Sequence, residues 1–344
     1  QAIFEQDAAA LNAAGTERLR RAIEAEPDGL KALLARTLAW LAEGKDRCIL
    51  TLGDADYPAT LLNIADPPLM LYLLGSLVKA GKADARLDTL PCLAIVGSRN
   101  PTPQGHINAD QFAECLGAAG WCVVSGLALG VDAAAHQGAL RAGAHSVAVV
   151  GTGLDRVYPR KHLELAHRIA RRGLLISEFA LGTPPLTANF PRRNRLISGL
   201  SQGTLVIEAA LQSGSLITAR LAAEQGKEVF AIPGSIHSQQ SRGCHLLIKQ
   251  GAKLVESAQD VLEELQPSGV TQPLDLAGDS QPQANPPPDD PLLRALGFDA
   301  CSLDALQART GLATAELQSQ LLAIELQGEL ARLPGGQFVR VAKG

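Results

Sequence analysis

The chain has 344 residues, of which 46% are hydrophobic and 19% charged, and its formal net charge at pH 7 is -4. This composition is that of a globular protein and excludes a disordered or fibrous chain, while the length predicts two or three domains. No apolar run approaches the roughly 18 residues that span a bilayer, and the N-terminal residues show no signal-peptide pattern, so we expect no membrane insertion and a cytoplasmic protein.

The first 45 residues read as helical. Apolar residues recur at helical spacing over residues 17–26 and 30–41, and Pro27, Asp28 and Gly29 break the pattern between the two stretches. We therefore predict a small helical domain over residues 1–45.

Residues 46–265 alternate short apolar runs with helical stretches, and each run ends in glycine or a small polar residue. The runs predict strands over residues 92–96, 121–125, 146–150, 174–177, 204–207 and 228–232. Each run is apolar on both faces, as in a parallel sheet that helices cover on both sides. The pattern predicts a doubly wound α/β domain with a mostly parallel sheet.

Residues 266–290 hold six prolines and four aspartates but no lysine or arginine, which is typical of an extended linker. After it, three helical stretches are predicted over residues 291–296, 303–309 and 314–326. Two strands follow, over residues 330–333 and 338–341, around a turn at Pro334, Gly335 and Gly336. Three helices and a hairpin predict a winged-helix domain over residues 291–344.

The third of these helices carries two glutamates and no cation. A recognition helix that enters a DNA groove normally needs cationic or base-contacting side chains. We therefore expect this domain to contact protein, or to pack on its neighbour, rather than to read a DNA sequence.

Several motifs of nucleotide-dependent and metal-dependent enzymes are incomplete. After the glycines at 151 and 153, Arg156 stands where a dinucleotide-binding loop needs its third glycine, and no G-K-[ST] sequence occurs anywhere. The six cysteines form no C-x-x-C pair, and the seven histidines form no metal-ligand pattern. We expect no catalytic residue, no cofactor, no metal and no disulfide.

Positive charge is concentrated between Arg156 and Arg195, where nine lysines and arginines stand against two acidic residues. This segment favours an anionic partner. Loops of small residues follow the predicted strands, at the edge where open α/β sheets bind ligands. Such loops expose backbone N–H groups that suit phosphate, and one of them opens a helix. They are Gly97-Ser98-Arg99, Ser125-Gly126, Gly151-Thr152-Gly153 and Ser213-Gly214-Ser215.

The segment from Asn189 to Arg195 places Phe190 beside three arginines. Arginines can neutralise neighbouring phosphates while an aromatic ring stacks on a base, a combination typical of proteins that bind single strands. The alternative is a solvated basic helix start with Phe190 in the core. Because the chain has only twelve aromatic residues, we expect Phe190 to act nearly alone.

These residues, in this order, resemble the DNA-processing protein A family (DprA, also called Smf), over roughly residues 50–255. The resembling stretches are 96–99, 125–132, 151–155, 158–159, 176–179, 190–201, 213–219 and 232–234, with 57–58 and 64–68 upstream. The resemblance implies an extended Rossmann-like domain between a sterile-alpha-motif-like helical domain and a winged-helix domain.

It also implies a function. Members of the family are single-stranded DNA-binding proteins, not enzymes, that protect incoming DNA and load the RecA recombinase during natural transformation. They form homodimers, which here would involve the apolar residues 246–248.

Together the loops and the resemblance select the candidate DNA-binding residues. They are Gly97, Ser98, Arg99, Ser125, Gly126, Lys161, Phe190, Arg192, Arg193, Asn194, Arg195, Ser213, Gly214, Ser215 and Thr218. Some members carry lysine three residues before the phenylalanine, where this chain has Thr187. We expect Lys161 or Arg160 to replace that contact.

A second hypothesis comes from a different class of protein. Gly203, Thr204 and Glu208 faintly echo the G-T-x-x-E pattern of nucleoside-monophosphate phosphoribohydrolases, enzymes of related Rossmann-like fold. The Pro-Gly-Gly that precedes this pattern is missing, and Glu208 more simply ends a strand. Release of adenine from AMP would distinguish such an enzyme from a DNA-binding protein.

Overall fold

The computed structural model describes residues 28–79, 82–83, 89–265, 290–297, 300–333 and 335–341. The predicted helix over residues 17–26 and nearly all of the predicted linker lie outside these ranges. Among the described residues, no helix is both long and apolar enough to cross a membrane.

A nine-stranded sheet forms the centre of the larger folded unit, in the order β1-β2-β8-β7-β6-β5-β9-β10-β11. Its strands are β1 (Arg47–Thr51), β2 (Met70–Leu74), β5 (Cys92–Val96), β6 (Cys122–Ser125), β7 (Ser146–Val149), β8 (Leu174–Ser177), β9 (Gly203–Val206), β10 (Glu228–Ala231) and β11 (Lys253–Leu254). A two-stranded hairpin, β3 (Val78–Lys79) and β4 (Lys82–Ala83), forms a separate small sheet next to β1. The strands from β8 to β11 in the sheet order are parallel to one another.

The six predicted strands are all present: two match at both ends, three have one end displaced by a residue, and the strand predicted over 204–207 is shifted by one residue to 203–206. The sheet also contains strands that the sequence pattern did not reveal. Strands β1 and β2 extend it at one edge by antiparallel pairing, with Tyr72 opposite Ser177 of β8. Strand β11 adds two residues at the other edge.

Helices cover both faces of this sheet. They are α1 (Leu30–Ala42), α2 (Ala59–Leu62), α3 (Pro103–Ala118), α4 (Val131–Arg141), α5 (Leu163–Arg172), α6 (Asn189–Leu200), α7 (Ser215–Glu224), α8 (Arg242–Lys249) and α9 (Ala258–Leu265). Apolar residues of α3, α4 and α9 share one core with the sheet, and those of α6, α7 and α8 share another. Apolar strands between two helical layers are what the predicted doubly wound fold requires.

The winged-helix unit contains the three predicted helices, α10 (Pro291–Leu296), α11 (Leu303–Thr310) and α12 (Thr314–Leu326). Strands β13 (Leu330–Leu333) and β14 (Gln337–Arg340) form the predicted hairpin, and the short β12 (Cys301–Ser302) pairs with β14. Two of these helices begin with an N-cap residue whose side chain accepts a hydrogen bond from the first turn. Asp290 accepts a hydrogen bond from the Leu292 N–H at 2.8 Å, and Ser302 accepts one from the Ala305 N–H at 3.2 Å, as N-cap residues do.

The strand order reverses direction at β5. From β5 the chain moves through α3 to β6 on one side, whereas β9 lies on the other side of β5. In open α/β sheets, ligands bind in the crevice outside the carboxyl ends of the strands at such a reversal. The topology therefore predicts a ligand site at the loops that follow β5 and β9.

Candidate nucleic-acid interface

A cleft of about 510 Å³ lies at the carboxyl ends of β5 and β9. The loop after β5, the first turn of α6 and the loop leading into α7 form its walls. Ten of the predicted DNA-binding residues line it. They are Gly97, Ser98, Arg99, Phe190, Arg193, Asn194, Ser213, Gly214, Ser215 and Thr218. Residues far apart in the chain thus meet where the topology predicts a ligand.

Phe190 lies at the start of α6 and is half-buried. The guanidinium of Arg99 lies 5.6 Å from the centre of the Phe190 ring, within the range of a cation–π contact. The ring packs over Gly151, where a Cβ atom would come within 3.2 Å of Phe190 Cδ1. A half-buried ring is available for stacking, unlike a core phenylalanine.

Phe190 was expected to act nearly alone, but a second aromatic ring lies beside it. Tyr158 is 49% exposed, and its ring centre lies 5.7 Å from that of Phe190. Phe190 thus has the Tyr158 ring and the Arg99 guanidinium as neighbours, and aromatic rings beside an arginine are suited to stacking on bases and pairing with phosphate. Tyr158 belonged to a stretch that resembled the family, but nothing in its local sequence indicated that it would lie beside Phe190.

Arg193 is buried and forms a hydrogen bond with the protein's own backbone. Its Nη1 donates a hydrogen bond to the Val149 carbonyl, and its Nε is buried without a partner among the described residues. Burial lowers the pKa of Arg193 to about 10, although the nearby Asp132 carboxylate acts in the opposite direction. The guanidinium therefore stays charged at neutral pH while it joins α6 to the end of β7.

The predicted residues Ser125 and Gly126 shape the loop after β6 and do not line the cleft. Ser125 is fully buried, and its hydroxyl donates to the Ile95 carbonyl at 2.7 Å. A Cβ atom at Gly126 would collide with the Arg193 guanidinium, so glycine is needed for that close approach. Asp132 accepts hydrogen bonds from the N–H groups of Gly126 and Ala128, at 3.1 and 3.2 Å.

Arg195 is committed to an ion pair. Its two Nη atoms donate to the carboxylate of the buried Glu178 at 2.9 and 2.7 Å, and its Nε lies 3.3 Å from an Asp66 oxygen. Its side chain is 11% exposed, whereas that of Arg192 is 60% exposed. Arg192 lies 3.5 Å from Glu178 and 5.9 Å from the centre of the Phe179 ring. Of the three arginines after Phe190, Arg192 is thus the one exposed to solvent, whereas the buried Arg193 is the one that lines the cleft.

Side chains at the start of α7 form hydrogen bonds with one another and with the backbone of this turn. The hydroxyls of Ser213 and Ser215 lie 2.6 Å apart, and the Ser215 N–H donates to Ser213 Oγ at 3.3 Å. Asn194 Nδ2 donates to the Gly214 carbonyl at 3.3 Å, which ties α6 to this turn. The predicted anion site at this helix start is therefore partly occupied by the protein itself.

The basic segment is divided between two edges of the sheet. Lys161 is exposed on a short 3-10 helix (Arg160–His162), outside the cleft lining. Helix α5 then runs back to the amino end of β8, where Arg172 donates to the Gly143 carbonyl at 3.0 Å. The arginines in the last turn of α5 thus lie at the edge opposite the cleft, and charge counted along the chain overstates the charge at the site.

The geometry gives no support to the hydrolase hypothesis. The Glu208 carboxylate accepts hydrogen bonds from the Thr102 hydroxyl and N–H, at 2.5 and 2.9 Å, at the start of α3. Burial raises the pKa of Glu208, and the residue lies outside the cleft lining. Within the described ranges, no group of three or more His, Cys, Asp and Glu residues is placed to hold a metal ion.

The sheet and its cleft define a Rossmann-like protein with a candidate ligand site at the carboxyl edge of the sheet, joined in sequence to a winged-helix unit. The family model for DNA recombination-mediator protein A matches residues 48–266, and the model for the DprA winged helix domain matches residues 277–336. The chain belongs to the DprA/Smf family of DNA-processing proteins.

Individual relatives agree with this assignment. Protein Smf of Escherichia coli (strain K12) is 42% identical over 314 residues, which cover 89% of this chain and 80% of that protein. DNA processing protein DprA of Streptococcus pneumoniae (strain R6) is 45% identical over 213 residues, covering 62% of this chain and 72% of that protein.

Two solved structures are also similar. The X-ray structure of DprA from Streptococcus pneumoniae has a TM-score of 0.60 at 42% identity and covers 67% of this chain and 78% of its own. A structure of DprA from Helicobacter pylori, described for its single-stranded DNA binding mode, has a TM-score of 0.55 at 32% identity and covers 63% and 95%.

Proposed function

We propose that this protein binds single-stranded DNA in the cleft at the carboxyl ends of β5 and β9, without sequence specificity and without catalysing a reaction on it. The observation that carries the proposal is the half-buried Phe190 ring with Arg99 and Tyr158 around it. A ring can stack only on a base that has left a duplex, and arginine contacts to phosphate carry no sequence information. The relative from Helicobacter pylori, described for binding single strands, supports the same conclusion.

The wider role that we propose is that of a recombination mediator in the cytoplasm. In that role the protein protects incoming single strands during natural transformation and loads the RecA recombinase onto them. Membership in the recombination-mediator family supports this role.

We also propose that the protein acts as a homodimer. Leu211, Ile217 and Leu246 are 54%, 38% and 37% exposed and lie together along a groove between α7 and α8. Apolar side chains grouped on a surface are typical of a protein interface. This groove lies close to the residues 246–248 that the resemblance selected.

A titration with labelled oligonucleotides tests the DNA-binding proposal. Single-stranded and duplex oligonucleotides of the same sequence are titrated at two or more salt concentrations, and the slope of log affinity against log salt is measured. Neutralising three to five phosphates of a single strand gives a slope of about -2 to -3.5, from about -0.7 for each phosphate. Equal affinity for duplex, or a flat salt dependence, contradicts the proposal.

A further inference from the structure

A second cavity lies between α1 and α5, on one face of the sheet. Its volume is about 380 Å³, within the range of ligand pockets, about 300 to 1,000 Å³. Residues of α1 and of the segment after it form one wall, and α5 and the loop after β7 form the other. Among the described residues, none lines both this cavity and the cleft. It is therefore a separate candidate site.

The deep part of this second cavity is apolar. Its walls are side chains that are each at most 8% exposed, and they are Trp40, Leu127, Val150, Leu154, Ala166 and Leu175. Such walls favour a hydrocarbon chain or an aromatic ring, because an apolar body removes their surface from water.

At the mouth of the cavity, Arg47 and Glu43 are engaged with each other. Arg47 Nη1 donates to the Glu43 carboxylate and, at 2.9 Å, to the Trp40 carbonyl. The Arg47 guanidinium also lies 5.3 Å from the centre of the Trp40 ring. This pair closes one side of the mouth, and its charges offset each other.

Arg156 lies on the other side of the mouth and is available to a ligand. Its side chain is 41% exposed and donates no hydrogen bond to any described residue, since Asp155 Oδ2 is 3.7 Å from its Nη2. The other Asp155 oxygen accepts the Gly182 N–H at 2.8 Å. Arginine pairs with a carboxylate through two parallel N–H donors. The residue that replaces the third glycine of a dinucleotide-binding loop can thus hold an anionic group above an apolar cavity.

We propose that this second cavity binds a small organic acid with an apolar body, which packs against Trp40 and Leu127 while its carboxylate pairs with Arg156. The site is independent of the proposed DNA binding because the two share no lining residue among those described. Both halves of the ligand are specified: the apolar walls select the body, and the arginine selects the charge.

Isothermal titration calorimetry of the full chain at pH 7 with octanoate tests this proposal. Two probes of the same chain length separate the contributions, because 1-octanol carries no charge and octylamine carries the opposite one. Arg156→Gln removes the guanidinium. Arg168→Gln is the matched control, since Arg168 is an exposed residue of α5 outside the cavity lining. Ala170→Leu fills part of the cavity that Ala170 lines.

Wild type should bind octanoate about 3- to 10-fold more tightly than 1-octanol, as a partly exposed ion pair allows, and octylamine more weakly than either. Arg156→Gln should lower the affinity for octanoate to that for 1-octanol, and Arg168→Gln should change neither affinity. Ala170→Leu should weaken both probes by about fourfold or more, the effect of one methylene that is no longer buried.

Absence of octanoate binding to wild type overturns the proposal, and so does octylamine binding as tightly as octanoate. Equal affinity of wild type and Arg156→Gln for octanoate, or unchanged affinities in Ala170→Leu, also overturns it. A saturating thymine oligonucleotide should leave octanoate bound, and displacement would place the acid in the cleft instead. Thermal unfolding verifies that the variants fold. If Ala170→Leu does not, Leu163→Phe, at the 47% exposed position on the mouth, decides by the same comparison.

Discussion

The Arg99 guanidinium lies 5.6 Å from the centre of the Phe190 ring, although the two residues follow different strands of the sheet. Arg99 comes from the loop after β5 and Phe190 from the first turn of α6, which crosses the sheet after β8. Their contact places a positive charge and an aromatic face side by side on one accessible surface. In the DNA binding that we propose, the two residues contribute different terms, and these terms can be measured separately.

Removal of the Phe190 ring should weaken stacking alone. Phe190→Ala is expected to cost about 1 to 3 kcal/mol of binding free energy for single strands, because one base loses its aromatic partner. The salt slope should stay nearly unchanged because no phosphate contact is lost. Phe190→Tyr, which keeps an aromatic ring, is the control and should retain most of the affinity. Unfolding of Phe190→Ala would show instead that the ring belongs to the core.

Removal of the Arg99 charge should change the salt dependence. Arg99→Ala is expected to lower affinity and to reduce the magnitude of the salt slope by about 0.7, since about one phosphate contact is lost. Arg171→Ala is the matched control, because the last turn of α5 lies at the opposite edge of the sheet. Equal effects of the two substitutions would mean that the strand does not bind at the cleft.

Removal of Arg195 should affect folding before it affects binding. Arg195→Ala leaves the buried Glu178 without its bidentate partner, and loss of one member of a buried ion pair costs about 3 to 5 kcal/mol of stability. Urea unfolding measures this loss. Arg192→Ala is the control, because Arg192 is exposed and its removal should lower DNA affinity with little change in stability. A fully stable Arg195→Ala protein would contradict this assignment.

Stability should depend on pH through His136. This residue is buried, its Nδ1 lies 2.7 Å from Ser146 Oγ, and burial lowers its pKa from 6.5 to about 3. Between these two values the unfolded chain binds a proton that the folded protein excludes. The free energy of unfolding should therefore fall as the pH drops from about 6.5 toward 3, by up to roughly 5 kcal/mol from this group.

Denaturant titrations from pH 7 down to pH 4 measure this effect. His136→Gln should show a shallower decline than wild type, and His167→Gln, at an exposed position of α5, should leave the profile unchanged. If the free energy of unfolding declines equally with pH in wild type and His136→Gln, the pH dependence comes from other groups.

Removal of the winged-helix unit should leave the binding of single strands almost intact. Helix α12 carries two glutamates and no cation, and it exposes Leu322 and Leu326 at 52% and 82%. A chain ending at Gln266 is expected to bind single strands within about threefold of the full chain, or about 0.65 kcal/mol. Loss of most of the affinity on truncation would show that this unit contacts DNA.

The parallel strands, the winged-helix elements and the small-residue loops could be predicted from the sequence alone. Their signals are local: apolar runs mark buried strands, N-cap residues start helices, and glycines mark the turns after strands. The topology rule then places the loops at one edge of the sheet. These signals were sufficient for most of the cleft, including Arg99, Phe190 and the serines at the start of α7.

The edge strands and the exposure of each arginine were decided only by the tertiary structure. Strands β1 and β2 join the sheet through pairing with the distant β8, which no local pattern encodes. Successive residues of a helix point about 100° apart, so Arg192, Arg193 and Arg195 leave α6 in different directions. The packing of α6 on the sheet turns Arg192 to solvent and buries the other two, against Val149 and Glu178, because each buried guanidinium needs a nearby acceptor.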